Sequence, residues 1–319
     1  VPILAGSGIP VIDRSEPDLT ADFVESRTFA FRTIDGSQVL KFTGDEMIMR
    51  WGITGLDVPD RELVEEEIPG QDGTDLVDVK VGSRPYFLPI FCGSDSGHLQ
   101  FLRNRAYLRS LFNHRHVDYR RNAGTFDLVA SSVLGERTLR SAFVSATSGE
   151  YAADSMGSYW QSFGINALAV NPYWRGERWT TPIVQRASTG AFFGTFPPQL
   201  SSSRALGADI EVTVGGEVES WPRIDLVGPA TSVEINGPGL YLSIPGGLGA
   251  GEVAVVETNP RDRFDGTVFN GDPDWARIAP GTRFAPINPG TATFNVAVAG
   301  VSGTSSATIS GDSLWETPW

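Results

Sequence analysis

From residue 208 onward the chain is a succession of short runs in which every second residue is apolar: ADIEVTVGG, SWPRIDLVG, TSVEINGP, LYLSIPGG, GEVAVVETN, TATFNVAVAG and SATISG. Alternation with a period of two turns one side of a strand to a core and the other to water, and the Gly- and Pro-rich breaks return the chain on itself at near-regular intervals. An all-helical fold does not fit this pattern, which predicts a β-sandwich or jelly roll. The composition agrees: 36 Gly and 21 Pro supply turns, while 18 Phe and 8 Trp suit half-buried pleated surfaces. With 319 residues, 40% of them hydrophobic, the chain can bury one large core or two ordinary ones, and two domains are expected.

The first half is also strand-rich. SRTFAFRTIDGSQVLKFTG reads as a hairpin turning at Asp35-Gly36, and LVDVKVGSRPYFLPIFCG as a second antiparallel pair about Gly82, with an acidic loop between them. HLQFLRNRAYLRSLFNH predicts one helix over residues 97–113, with Ser94, Asp95 and Ser96 as caps. At 100° per residue Phe101, Tyr107, Leu108, Leu111 and Phe112 share an apolar arc. Arg103 and Arg109 lie on the other side, and Arg105 stands at the edge. Leu99 and Leu102 fall outside the arc, free to touch a neighbouring subunit. Strands resume with GTFDLVASSV, TLRSAFVSATS and WQSFGINALAVNPYW, and the polar run around Pro182 marks a boundary near residues 175–185. The expected organisation is a mainly β chain: a β domain with one amphipathic helix over 1–178, and a β-sandwich over 179–319.

Charge is segregated. Asp57 to Asp78 holds nine acids against Arg61, including Glu65, Glu66 and Glu67. His98 to Arg121 holds six arginines and all three histidines against Asp118. Opposite blocks of this kind can meet across a subunit boundary. Arg103, Arg105 and Arg109 are the expected partners of the acidic segment of an adjacent copy. A net charge of −13 argues against wrapping nucleic acid. The single Cys92 excludes an internal disulfide and reads as a buried thiol. No apolar run reaches the roughly 18 residues of a membrane span, and VPILAGSGIPVID lacks the pattern of a secretory signal, so no membrane insertion is expected.

The stretch GGEVESWPRIDLVGPATSVEI reads as two strands joined through Gly228-Pro229. Its Glu217 and Glu219 share a strand face at a spacing a glycoside hydrolase could use, but polar-out alternation demands the same residues without catalysis. Val218 is better placed for the core than Trp221. His114 and His116 form an H-x-H pair with only Asp118 near in sequence, among arginines that oppose a cation, so no metal is expected. No phosphate-cradling loop, dinucleotide fingerprint or Ser-centred elbow occurs, which leaves a non-enzymatic chain without a cofactor or catalytic residues. Two alternatives stand beside that reading: a carbohydrate-binding module using Trp221, Tyr241 and Trp275 as stacking surfaces, and a glycoside hydrolase using Glu217.

The succession of a β domain with a basic helix, the phrase VNPYWRGERWTTPI, and then GGEVESWPRIDLVGPATSVEINGPG resembles the distal tail protein family of long, non-contractile-tailed bacteriophages. Gly216 to Pro222 and Ile224 to Pro229 match its acid-Val-x-Ser-x-Pro strand and the apolar strand that follows. GEVAVVETNPRDR, DPDWARIAPGTRF and the ending LWETPW are similar to the rest of that domain. The resemblance implies a structural protein of the virion, assembled in the host cytoplasm, that forms a hexameric ring at the distal end of the tail. It would join the major tail tube protein to the tail-associated hub protein and to fibres or receptor-binding proteins, with DNA passing through its channel only in transit. The resemblance further implies that the first domain builds the ring and that the second is a galectin-like sandwich.

Overall fold

The computed structural model describes residues 27–42, 44, 46–70, 72–112, 125–183, 204–261, 263–301 and 304–319. The fold is mainly β. In the first half β1 (Thr28–Thr33) and β2 (Val39–Lys41) form the predicted hairpin, with Gly36 at φ +71° in its turn. Next come β3 (Met47–Met49), β4 (Arg61–Glu67), β5 (Thr74–Val81), β6 (Arg84–Ser94) and the helix α1 (His98–Ser110). β7 (Thr125–Ser132), β8 (Gly135–Ala153), β9 (Tyr159–Ala169) and β10 (Trp174–Ile183) complete this part. The second half holds β11 (Arg204–Val214), β12 (Arg223–Val227), β13 (Ser232–Gly237), β14 (Leu240–Ile244) and β15 (Val253–Glu257). It closes with the short β16 (Val268–Phe269) and β17 (Asp272–Pro273), then β18 (Gly290–Val301) and β19 (Ser306–Trp315).

One sheet runs β17-β16-β15-β12-β19-β10-β8-β7-β1-β2, and β9, β6 and β3 join it beside β8. Between β10 and β8 it narrows to the pair Arg175 and Thr138. Two hydrophobic cores lie on either side of this neck. The first gathers Phe31, Leu88, Ile90, Phe126, Leu128, Leu139, Ile165 and Trp174 with Phe101 and Leu108 of α1. The second lies between the β12, β15 and β19 layer and a four-stranded sheet of order β11-β18-β13-β14, the arrangement of a sandwich. Its strands keep the sequence's alternation: Ala292, Phe294, Val296 and Val298 of β18 are buried, and the residues between them are exposed. β10 belongs to both halves, since Trp174 is fully buried in the first core and Trp179 packs against the second.

Several local expectations fail. The acidic segment is not a loop: β4 and β5 pair with each other into a two-stranded ribbon, and β5 does not pair with β6 across Gly82. β6 instead lies between β3 and β9, because its alternate residues Tyr86, Leu88, Ile90 and Cys92 belong to the core while β5 is exposed along almost its whole length. The dense charge of the segment hid its strand pattern. The helix starts from Gly97 with no side-chain cap, because Ser94 donates to Glu46 and Asp95 accepts from Ser158. It ends at Ser110, and residue 113, the predicted end, lies outside the described residues. Tyr107 is exposed, and Asn104 takes a buried place in the helix: its amide donates to Glu46 Oε2 at 2.8 Å and to the Gly93 carbonyl at 3.2 Å. These two bonds make burial of an amide affordable. Gly215 to Pro222 is not a strand but a connection held by isolated pairings to Leu314 and Ile287. The positive φ of Gly216 and the ring of Pro222 stop a ladder from forming there.

After β19, residues 316–319 turn back onto the first core, where Trp315 and Trp319 pack. Arg84, 2% exposed, donates to the carbonyls of Leu56 at 2.8 Å and Glu316 at 2.7 Å. Burial lowers its pKa from the usual arginine range, and Glu316 acts in the opposite direction. Arg137 donates to the Thr317 carbonyl and lies 3.8 Å over the Trp315 ring. Trp319 meets Phe29 at 4.9 Å between ring centroids. The last residues of β19 and those after it therefore fasten the second half to the first.

Cys92 is fully buried in the first core, and burial pushes its thiol up to about 11. At neutral pH the thiolate is scarce and shielded, so iodoacetamide should leave the folded chain unmodified and alkylate Cys92 only after denaturation. Labelling followed by intact-mass measurement checks this. Stoichiometric modification of the native chain would show that the core around β6 opens readily.

Candidate functional site

The residues set aside for subunit contact sit on two separate features. On α1, Leu99 and Leu102 are 64% and 40% exposed, and Arg103 and Arg109 are exposed while Arg105 is half-buried. Buried Phe101, Asn104 and Leu108 hold the opposite side of the helix against the sheet, which fixes the direction of the basic side. Arg109 also stands in the last helical turn, where a cation complements the helix dipole. Glu65, Glu66 and Glu67 stand exposed on β4. Among the described residues no ion pair joins α1 to β4 or β5.

Beside α1 lies a groove of about 680 Å³. Phe112, Phe143, Ala146 and Leu102 are among the apolar residues that line it, and Arg105 and Arg109 line it as well. Sequence reasoning expected Leu102, Arg105 and Arg109 at a subunit contact and did not bring Phe143 and Ala146 beside them. The signal was the apolar alternation of TLRSAFVSATS, yet nothing in one strand shows which helix it lies beneath. The Nε of Arg105 is buried and has no acceptor among the described residues.

The second half offers no comparable constellation. Glu217 and Glu219 are exposed, and the Glu217 carboxylate accepts the Glu316 amide at 3.3 Å, so it helps to seat the returning tail. Val218 and Trp221 are both half-buried, so the expected preference for Val218 as a core residue does not appear. Trp275 packs against the second core and meets Phe284 edge-on at 6.2 Å, while the Tyr241 backbone pairs with Arg283. No described contact joins the rings of Trp221, Tyr241 and Trp275 into one platform. Among the described residues no group of three or more His, Cys, Asp or Glu could hold a metal ion, and no helix is long and apolar enough to cross a membrane. His114, His116 and Asp118 lie outside the described residues.

No protein-family model matches the chain, and no curated protein matches it. Among solved structures, it is similar to the crystal structure of the SPP1 Dit protein (gp 19.1), described as a paradigm of the hub adsorption apparatus in phages that infect Gram-positive hosts. The TM-score is 0.58 at 17% identity, over 90% of this chain and 98% of that one. The phage P2 baseplate in its activated conformation with Ca also matches, at TM-score 0.39 and 12% identity, over 85% of this chain and 97% of that one. At these identities the SPP1 Dit likeness establishes a shared fold, and that fold spans both halves of the chain.

Proposed function

We propose that the chain is a structural component at the distal end of a long-tailed phage's tail, where six copies close into a ring between the tail tube and the tail-tip hub. The observation that carries this reading is the fold: nearly the whole of a phage hub protein superposes on nearly the whole of this chain. The same kind of protein is the one its sequence motifs resemble. In this reading residues 1–178 build the ring and 179–319 form an outward sandwich that meets fibres or receptor-binding proteins. The residues after β19 fasten the second half to the first. The tube protein, the hub protein and further copies cover its surfaces, and no reaction is catalysed.

Exposed Leu99, Leu102, Arg103 and Arg109 of α1 support the ring, since a closed ring gives each such surface a neighbour. Light scattering and negative-stain imaging of the purified chain should show rings or concentration-dependent association. A chain that stays monomeric and binds neither tube nor hub protein would remove the reading. Reversing one charge, Arg109→Glu, should weaken association several-fold at low salt, and the difference from wild type should shrink as salt screens the contact. Equal association of the two chains at low ionic strength, measured by sedimentation, would discard α1 as the basic side of the contact.

A further inference from the structure

The β4–β5 ribbon and the groove beside α1 are complementary in shape of charge and in apolar surface. In the ribbon's register Arg61 lies opposite Val81, Leu63 opposite Val79, Glu65 opposite Leu76 and Glu67 opposite Thr74. Residues paired across an antiparallel ladder share a face, as do alternate residues of an unbroken strand. The irregularity in pairing leaves Val77 as the extra residue on β5, so the alternation of β4 is undisturbed. Leu63, Leu76 and Val79 therefore make one apolar stripe, 55%, 58% and 41% exposed, with Glu65 and Glu67 on the same face toward the turn. A lone two-stranded ribbon is marginal in water, and one with an uncovered apolar face gains stability by covering it.

The groove supplies the complement. Phe112, Phe143, Ala146 and Leu102 offer apolar surface, and Arg105 and Arg109 stand along it. The ribbon's base is tied to its own chain by the Arg61–Glu316 ion pair at 2.7 Å, while its apolar face stays uncovered there. We propose that the β4–β5 ribbon of one copy lies in the α1 groove of the next. Leu63, Leu76 and Val79 rest on that apolar surface, and Glu65 and Glu67 meet Arg105 and Arg109. This rests on the ring reading and deepens it: each copy gives its ribbon on one side and receives another's on the other, the head-to-tail contact from which rings close. It also changes which force dominates. Apolar burial holds the contact and the charges set its register, so association persists at salt concentrations that erase the effect of Arg109→Glu.

The test mixes two single-cysteine additions, Leu76→Cys on one batch of chain and Ala146→Cys on another, under mild oxidation. Cys92 is buried and stays out of the reaction. Disulfide-linked heterodimers should appear in the mixture and not in either batch alone, and Leu76→Asp should weaken association at least tenfold with an unchanged melting temperature. Association without heterodimers, and unaffected by Leu76→Asp, overturns this seat and leaves the ring reading standing. A chain that never associates overturns both. Cross-linking of a doubly substituted chain to itself at high dilution overturns the inter-copy assignment.

Discussion

Replacing Arg84 with alanine should lower stability by about 3 kcal/mol, because two charge-assisted hydrogen bonds worth about 1.5–3 kcal/mol each disappear while two carbonyls stay buried. Relief from burying a cation offsets part of that loss, and so does the Arg84 Nε, which already lacks a partner among the described residues. The remainder is a large share of a typical margin of about 5–15 kcal/mol. The same bonds tie the Leu56 loop to the tail at Glu316, so a chain ending at Leu314 should show a loss that overlaps with that of Arg84→Ala. Urea denaturation of the two variants and their combination forms the cycle. Fully additive losses would mean that Arg84 steadies the Leu56 loop alone and that the tail holds by its aromatic contacts.

Gly216→Ala should cost about as much, for a backbone reason. Gly216 has φ +108°, a region in which a side chain adds roughly 1–3 kcal/mol of strain. A Cβ there would also collide with the Leu314 carbonyl oxygen and stand 2.7 Å from its amide nitrogen. Neither can retreat, since the Leu314 carbonyl accepts the Glu217 amide at 2.8 Å and Leu314 lies in β19, the strand between β10 and β12. Gly215→Ala is the contrast: its Cβ would press mainly on the Ser313 hydroxyl, which can rotate away. Thermal unfolding should separate the two by several degrees, with Gly216→Ala the lower. Equal melting temperatures would show that β19 yields at Leu314 at little cost.

Much of the architecture was legible in the residues. The alternation of β11 through β19 announced a sandwich, and each predicted strand there is found, apart from the residues just before β12. The helix was legible from its 3.6-residue spacing, and so was the exposure of Leu99 and Leu102. Tyr107 was misread because periodicity counts apolar residues and cannot see Glu46, the partner that lets Asn104 go inside. The β4–β5 ribbon was missed because nine acids in 22 residues look like a solvated loop, although Leu63, Leu76 and Val79 were in view. The segregation of basic and acidic residues was legible, and the groove beside α1 was not.

Local chemistry settled which segments are strands, where they turn, which face of each is apolar and where charge collects, because all of these depend on residues close together along the chain. Tertiary structure alone decided that Phe112, Phe143 and Ala146 line one groove, that Arg84 is buried against the tail, and that Gly216 must be bare beneath Leu314. Those facts join residues far apart in the chain, and the sequence pattern of neither partner carries any trace of the other.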